Sequence, residues 1–126
     1  MKILIVAYNY PSKYCSADFV FVKMLVDEFA RRGHECMVVA PHSVTHHKCL
    51  HHGMEEYSVG NNTVKVVRPN YFSISSLTIG KYHISNVLHK WIVRRALRHL
   101  KFDPDVVYCH FWKQGIEAYP FAKKHN

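Results

Sequence analysis

The sequence predicts an α/β fold, a doubly wound parallel sheet covered by helices. Lys2–Tyr8 is a short apolar, β-branched run with the composition of a strand buried on both faces, and His34–Ala40 reads as a second strand. An amphipathic helical segment lies between them, and the alternation of strand and helix continues to the other end of the chain.

In order, Lys2–Tyr8 is the first strand, broken by Asn9-Tyr10-Pro11-Ser12. Asp18–Arg32 reads as a helix, because Val22, Leu25, Val26 and Phe29 fall on one face. Ser16 or Asp18 is placed to cap its start, and Arg31-Arg32 followed by Gly33 suits its end. His34–Ala40 is the second strand, stopped by Pro41. Strand, helix and strand within about 40 residues make a right-handed βαβ unit.

The segment His42–Gly53 is expected to be a loop of low structural content. Met54–Val59 is ambiguous, Gly60-Asn61-Asn62 signals a turn, and Thr63–Val67 reads as a strand, so the two can form a hairpin. Asn70–Gly80 is irregular and Tyr82–Leu100 is a long helix. A turn at Phe102–Asp105 leads into a fourth strand, Asp105–Cys109, and a last helix covers Gln114–Lys124, with Pro120 as a possible break. The simplest topology is a Rossmann-like three-layer sheet of order 3-2-1-4. Its switch point lies between strands 1 and 4, and ligands bind beyond the carboxyl ends of such strands. Asn9–Ser16 and His110-Phe111-Trp112 therefore converge on one crevice.

A chain of 126 residues is expected to form one domain, and 48% hydrophobic content is enough for a core. Seventeen basic against nine acidic residues give a net charge of +8, which draws anions. Cys15, Cys36, Cys49 and Cys109 form no C-x-x-C pair and read as reduced thiols of a cytoplasmic protein. No signal peptide or membrane span is visible. The chain also has no G-x-G-x-x-G after strand 1, no P-loop and no G-x-S-x-G elbow, which argues against a dinucleotide enzyme, a P-loop NTPase and an α/β-hydrolase.

Several runs carry a resemblance. Met1-Lys2-Ile3-Leu4-Ile5-Val6 leads into Tyr10-Pro11-Ser12, and Phe21-Val22 opens the first helix. Ala30-Arg31-Arg32-Gly33-His34-Glu35 runs into Val38-Val39-Ala40-Pro41, and Phe102-Asp103-Pro104-Asp105-Val106-Val107-Tyr108-Cys109 into His110-Phe111-Trp112. In this order and spacing, they resemble the N-terminal half of retaining glycosyltransferases of the two-Rossmann GT-B fold, family-4 type, over nearly the whole chain and most weakly over residues 42–83. The resemblance implies residues 1–126 as an incomplete acceptor-side domain. A further strand with another histidine, and a C-terminal donor-binding domain, would lie beyond Asn126. It implies sugar transfer from a nucleotide-sugar to a saccharide or lipid-linked acceptor, with no bound metal or other cofactor, and no activity of the N-terminal piece alone. The family's loop glycines are replaced here by Tyr14-Cys15-Ser16-Ala17.

His110 is the candidate catalytic contact to a sugar, and its plainer role is a strand-end histidine bonded to a backbone carbonyl. Asn9, Tyr10, Tyr14 and Ser16 are candidate acceptor contacts on the loop after strand 1, helped by the free N–H groups of the next helix. Trp112 either stacks on a sugar or packs beneath the last helix, as Phe111 is expected to do. The imidazole-rich segment, with His47 and His51 spaced i,i+4 around Cys49, matches no structural zinc pattern and reads as a solvated loop outside the crevice.

Lys90, Arg94, Arg98 and Lys101 form a basic stripe opposite Ile84, Val87, Leu88, Ile92 and Leu97, either a solvated face or a surface for anionic lipid at the inner side of a membrane. Nucleic acid is not an expected partner, since no reading motif accompanies the charge. The alternative to an enzyme is a binding module that dimerises through the exposed edge of strand 4.

Overall fold

The structure, a computed structural model, describes residues 1–125. Asn126, where the domain is expected to be incomplete, lies outside the described residues. Five strands form the main sheet: β1 (Lys2–Val6), β2 (Glu35–Val39), β4 (Met54–Val59), β5 (Asn62–Val67) and β9 (Val106–Cys109), in the order β4-β5-β2-β1-β9. The pairs β1–β2, β1–β9 and β2–β5 are parallel, and only the hairpin partner β4 runs antiparallel. The α/β class and mostly parallel sheet expected from the sequence are present.

The alternation of side chains along β1 serves two cores. Ile3, Ile5 and Ala7 join Val22, Val26 and Ala30 of α1 (Val20–Arg31). Leu4 and Val6 face the opposite way and join Val93 and Leu97 of α3 (Ile84–His99) and Ala118 of α4 (Trp112–His125). Ile3 to Ala7 are all buried, which explains why the run is apolar without a break.

α1 ends in a left-handed turn at Gly33 (φ 84°). The Gly33 N–H donates to the Ala30 carbonyl and the His34 N–H to the Phe29 carbonyl, a Schellman stop that turns the chain directly into β2.

Several expectations need correction. Neither Ser16 nor Asp18 caps α1. Its N-cap is Phe19, in the left-handed region (φ 54°), while Asp18 accepts a hydrogen bond from Asn9 instead. The segment His42–Gly53 is not structureless. His42–Ser43 is a short strand, β3, that pairs with β6 (Asn70–Tyr71), and Val44–His47 is a single helical turn, α2, capped by the Ser43 hydroxyl. A small ribbon, β7 (Thr78–Ile79) and β8 (Tyr82–His83), precedes α3.

The buried face of α3 is His89, Val93 and Leu97, whereas Val87, assigned to the inner face, is half exposed. α4 runs through Pro120, whose ring lies on the exposed side of the helix. Among the described residues no helix is long and apolar enough to cross a membrane.

Candidate functional site

The carboxyl ends of β1 and β2 open onto a crevice lined by Tyr8 and Asn9 on one side and Pro41 and Ser43 on the other, beside the loop that follows β1. That loop is held from below by Arg68, just past β5. Its guanidinium, buried at 5% exposure, donates to the carbonyls of Tyr10 (3.1 Å) and Pro11 (2.6 Å) and to the Glu55 carboxylate (2.9 Å). Three donors in one planar fork fix the direction in which the loop leaves the sheet. Asn9 is fixed as well, since its amide donates to Asp18 (2.8 Å) and its carbonyl accepts from the Tyr10 N–H (2.9 Å).

Tyr10 is not an acceptor contact. It is 1% exposed, and its hydroxyl meets that of Tyr57 at 2.6 Å. Tyr57 in turn donates to Asp27 (2.8 Å), so its one proton is committed and Tyr10 must be the donor to Tyr57. Burial raises the pKa of both phenols far above the ordinary range, with the neighbouring Asp27 charge acting in the same direction. The polar, loop-like neighbourhood of Tyr10 in the sequence, Asn9 to Lys13, gave no warning that the ring turns inward.

Tyr14 and Ser16 are exposed. Tyr14 leans on His42 and His47, with ring centroids 5.3 and 5.4 Å away, and His42 stacks on His47 at 4.7 Å. The imidazole-rich segment thus belongs to the crevice, contrary to its expected place outside it. Ser43, His46 and His47 line one pocket of about 230 Å³ together with Tyr8, Asn9 and Tyr71. Nor is the segment simply solvated: His42 and His51 are buried, and His42 Nε2 lies 2.9 Å from the Cys49 carbonyl. Desolvation lowers the pKa values of His47 and His51. The facing His42 adds to the effect at His47, and Glu55 opposes it at His51. Among the described residues no three His, Cys, Asp or Glu side chains are gathered as a metal set.

His110 is exposed just past β9, with Nδ1 3.0 Å from the Tyr108 hydroxyl. It stands over Phe21 (4.9 Å) and Phe111 (4.7 Å), and Phe111 meets Phe19 edge-on (5.8 Å), an aromatic cluster at the N-terminal end of α1. Phe111 packs there rather than beneath α4. No hydrogen bond or ring contact joins His110 to Asn9 or Tyr14 among the described residues. Trp112 is 74% exposed at the start of α4, so it does not pack under the helix.

The basic stripe is not one open face. Lys90, Arg94 and Arg98 line a groove of about 820 Å³ between α3 and α4, whose apolar members include Trp91, Leu97 and Phe121. Arg94 is half-buried there, with one amine 3.4 Å from the Ile116 carbonyl, while Lys101 lies past the helix and is exposed.

A buried polar group between α3 and α4 went unseen in the sequence. His89 Nδ1 and Glu117 Oε1 are 2.8 Å apart, with side chains 5% and 9% exposed. Tyr8 stacks on the His89 ring at 5.0 Å and Tyr71 meets it edge-on at 5.2 Å. Burial pushes the Tyr71 phenol up to about 12. Beside the pair, Gln114 is 1% exposed, and His89 Nε2, Gln114 Oε1 and Glu117 Oε2 are buried with no hydrogen-bond partner. Each such orphan costs about 1–3 kcal/mol. One signal existed: Glu117 is the sole acidic residue after Asp105, and it falls with Gln114, Ala118 and Phe121 on the i, i+3, i+4, i+7 face that a core claims.

Compared with family models, curated proteins and solved structures, the chain gives no significant match.

Proposed function

We propose that the chain is the acceptor-side domain of a retaining glycosyltransferase of the GT-B, family-4 type, with a Rossmann-like three-layer sheet of order 3-2-1-4. The observation that carries this reading is the ordered set of sequence runs. Lys2–Tyr10, Ala30–Pro41 and Phe102–Trp112 contain the adjacent parallel strands β1, β2 and β9, and their downstream ends lie at one end of the sheet. A crevice at the carboxyl ends of parallel strands is where such sheets hold ligands. In this reading His110 makes a polar contact to the transferred or accepting sugar, and Asn9, Tyr14, Ser16 and Trp112 line the acceptor's path. Tyr10 supports the loop from the core.

Retaining transfer needs stabilisation of an oxocarbenium-like centre and of a departing diphosphate. In enzymes of this type a second domain supplies most of the groups for the diphosphate. The 126-residue chain is therefore expected to bind acceptor without turnover when mixed with nucleotide-sugars in the cytoplasmic range of pH. Product formation that His110→Ala abolishes would refute this assignment of roles. Lys90, Arg98 and Lys101 suit a protein that works peripherally on lipid-linked acceptors at an anionic membrane face. Retention on anionic vesicles that falls with salt is the expected result, and salt-independent retention would contradict it.

A second reading, self-association, is favoured by β9. It is an edge strand with Val106 43% exposed, and its outer side is unpaired among the described residues. A solution mass that doubles with concentration would support it, and a constant monomer mass would exclude it.

A further inference from the structure

We propose that the groove of about 820 Å³ between α3 and α4 is a docking site for an acidic amphipathic helix of a partner protein, held by Lys90, Arg94, Arg98 and Lys124 around apolar side chains. The inference goes beyond the glycosyltransferase reading and does not depend on it.

α3 carries two faces. His89, Val93 and Leu97 form the buried one. Val87 and Trp91 belong to the other and are 49% and 54% exposed, although both are apolar. They border the groove, which Leu97 and the half-buried Phe121 of α4 line more deeply. Exposed apolar side chains gathered at one concave surface mark an interaction site.

Charge says what covers it. Among the described residues none of Lys90, Arg94, Arg98 and Lys124 is paired with a carboxylate, whereas Lys23, Arg31, Arg32 and Arg68 all are. Glu117 also lines the groove, but it is buried and turned to His89. His125 is taken by Asp103. Unmatched cations around apolar side chains are the complement of an acidic, apolar partner. Lys90, Arg94 and Arg98 recur every four residues, a rise of about 6 Å per step, and carboxylates spaced i, i+4, i+8 on a second helix have the same repeat. From Val87 to Leu100 the groove follows α3 for about 20 Å, the length of a helix of three to four turns.

Other occupants fit less well. An extended peptide would find no free backbone edge on walls made of helices, whereas a helix arrives with its own backbone bonds made. A second copy of this chain lacks the acidic stripe. Its helical acids are Asp27 and Glu28 on α1, already paired, and the buried Glu117 on α4. Two chains of net charge +8 also repel each other. A bilayer surface can meet the rim cations, but it cannot follow a floor that lies between two helices.

The test uses the full chain and a fluorescein-labelled helical peptide of about 15 residues, with leucines spaced i, i+3, i+4, i+7 and glutamates spaced i, i+4, i+8 beside them. A control peptide has lysines in place of the glutamates. Anisotropy and the indole N–H signals of Trp91 and Trp112 are the readouts. The expected result is saturable micromolar binding of the glutamate peptide that falls with salt. It should shift Trp91 and leave Trp112, which lies outside the groove. Arg98→Glu combined with Lys124→Glu, both exposed, should weaken binding about tenfold or more with the circular dichroism unchanged. Salt-dependent retention on phosphatidylglycerol vesicles should survive Trp91→Ala, because the rim charges remain. Its loss would place acyl chains in the groove and overturn the proposal. Equal binding of the lysine peptide, no saturable binding, or shifts at Trp112 instead of Trp91 would overturn it as well.

Discussion

Replacing Arg68 with Met keeps much of the side chain's length and removes three hydrogen bonds at once. The partners lose unequally. The Tyr10 carbonyl belongs to a buried residue and would be left without the 3.1 Å donor, at about 1–3 kcal/mol. The Pro11 carbonyl is partly exposed and can turn to water, so its loss is about 1 kcal/mol or less. The Glu55 side chain is one-third exposed, so the ion pair at 2.9 Å contributes at most about 1 kcal/mol after solvent screening. Against these stands the desolvation of a guanidinium 3% exposed, which the thioether does not suffer. The net expectation is a loss of about 2–3 kcal/mol in urea unfolding at an unchanged m-value, with faster amide exchange over residues 9–15. A double-mutant cycle with Glu55→Gln should give a coupling of about 1 kcal/mol or less. A loss below about 0.5 kcal/mol, or exchange unchanged in the loop, would refute the argument that Arg68 fixes the crevice wall.

Tyr57→Phe should cost about 1–3 kcal/mol, because the buried Tyr10 hydroxyl loses its acceptor, and Tyr10→Phe in the same background should recover part of that. Calorimetry of the single and double variants checks both. The pH dependence follows from His51, whose folded-state pKa lies below its unfolded value of about 6.5 because burial opposes its charge. The unfolded chain then binds more protons as pH falls, so stability is full above about 6.5 and declines through and below it. The melting temperature should drop between about pH 7.5 and pH 5.5, and His51→Leu should flatten that slope, whereas an unchanged slope would contradict the assignment. Cys36 and Cys109 thiols, both raised to about 11 by burial, should react with a disulfide reagent at neutral pH only on unfolding. Counting thiols released before and after denaturant tests this.

The parts of the fold legible in the sequence were those set by local pattern. β1 and β2 announce themselves because both faces are covered, which forces an unbroken apolar run. α1 stops where Gly33 can take a positive φ that other residues resist. The hairpin of β4 and β5 is marked by its Gly60-Asn61 turn, with Gly60 at φ 59°. What was missed depends on contacts between distant segments. β3 exists because His42 and Ser43 pair with Asn70 and Tyr71, 28 residues on, and nothing local demands it. The inner face of α3 was misjudged because a buried His89 takes an apolar position, and only Glu117 on α4 makes that tolerable. Tyr10 lay on a loop that looked functional, yet the hydroxyl of Tyr57 draws it inward. At the site, His110, Tyr14 and Trp112 are exposed, but Arg68, which holds the crevice wall, looked like any strand-end arginine.

The central claim, that this domain holds the acceptor and not the nucleotide, is tested most directly by binding of the full chain to a glycan array alongside UDP and GDP titrations. The account predicts retention on a restricted set of saccharides, reduced in His110→Ala and Trp112→Ala, with no nucleotide binding. Nucleotide binding without retention on any glycan would contradict it.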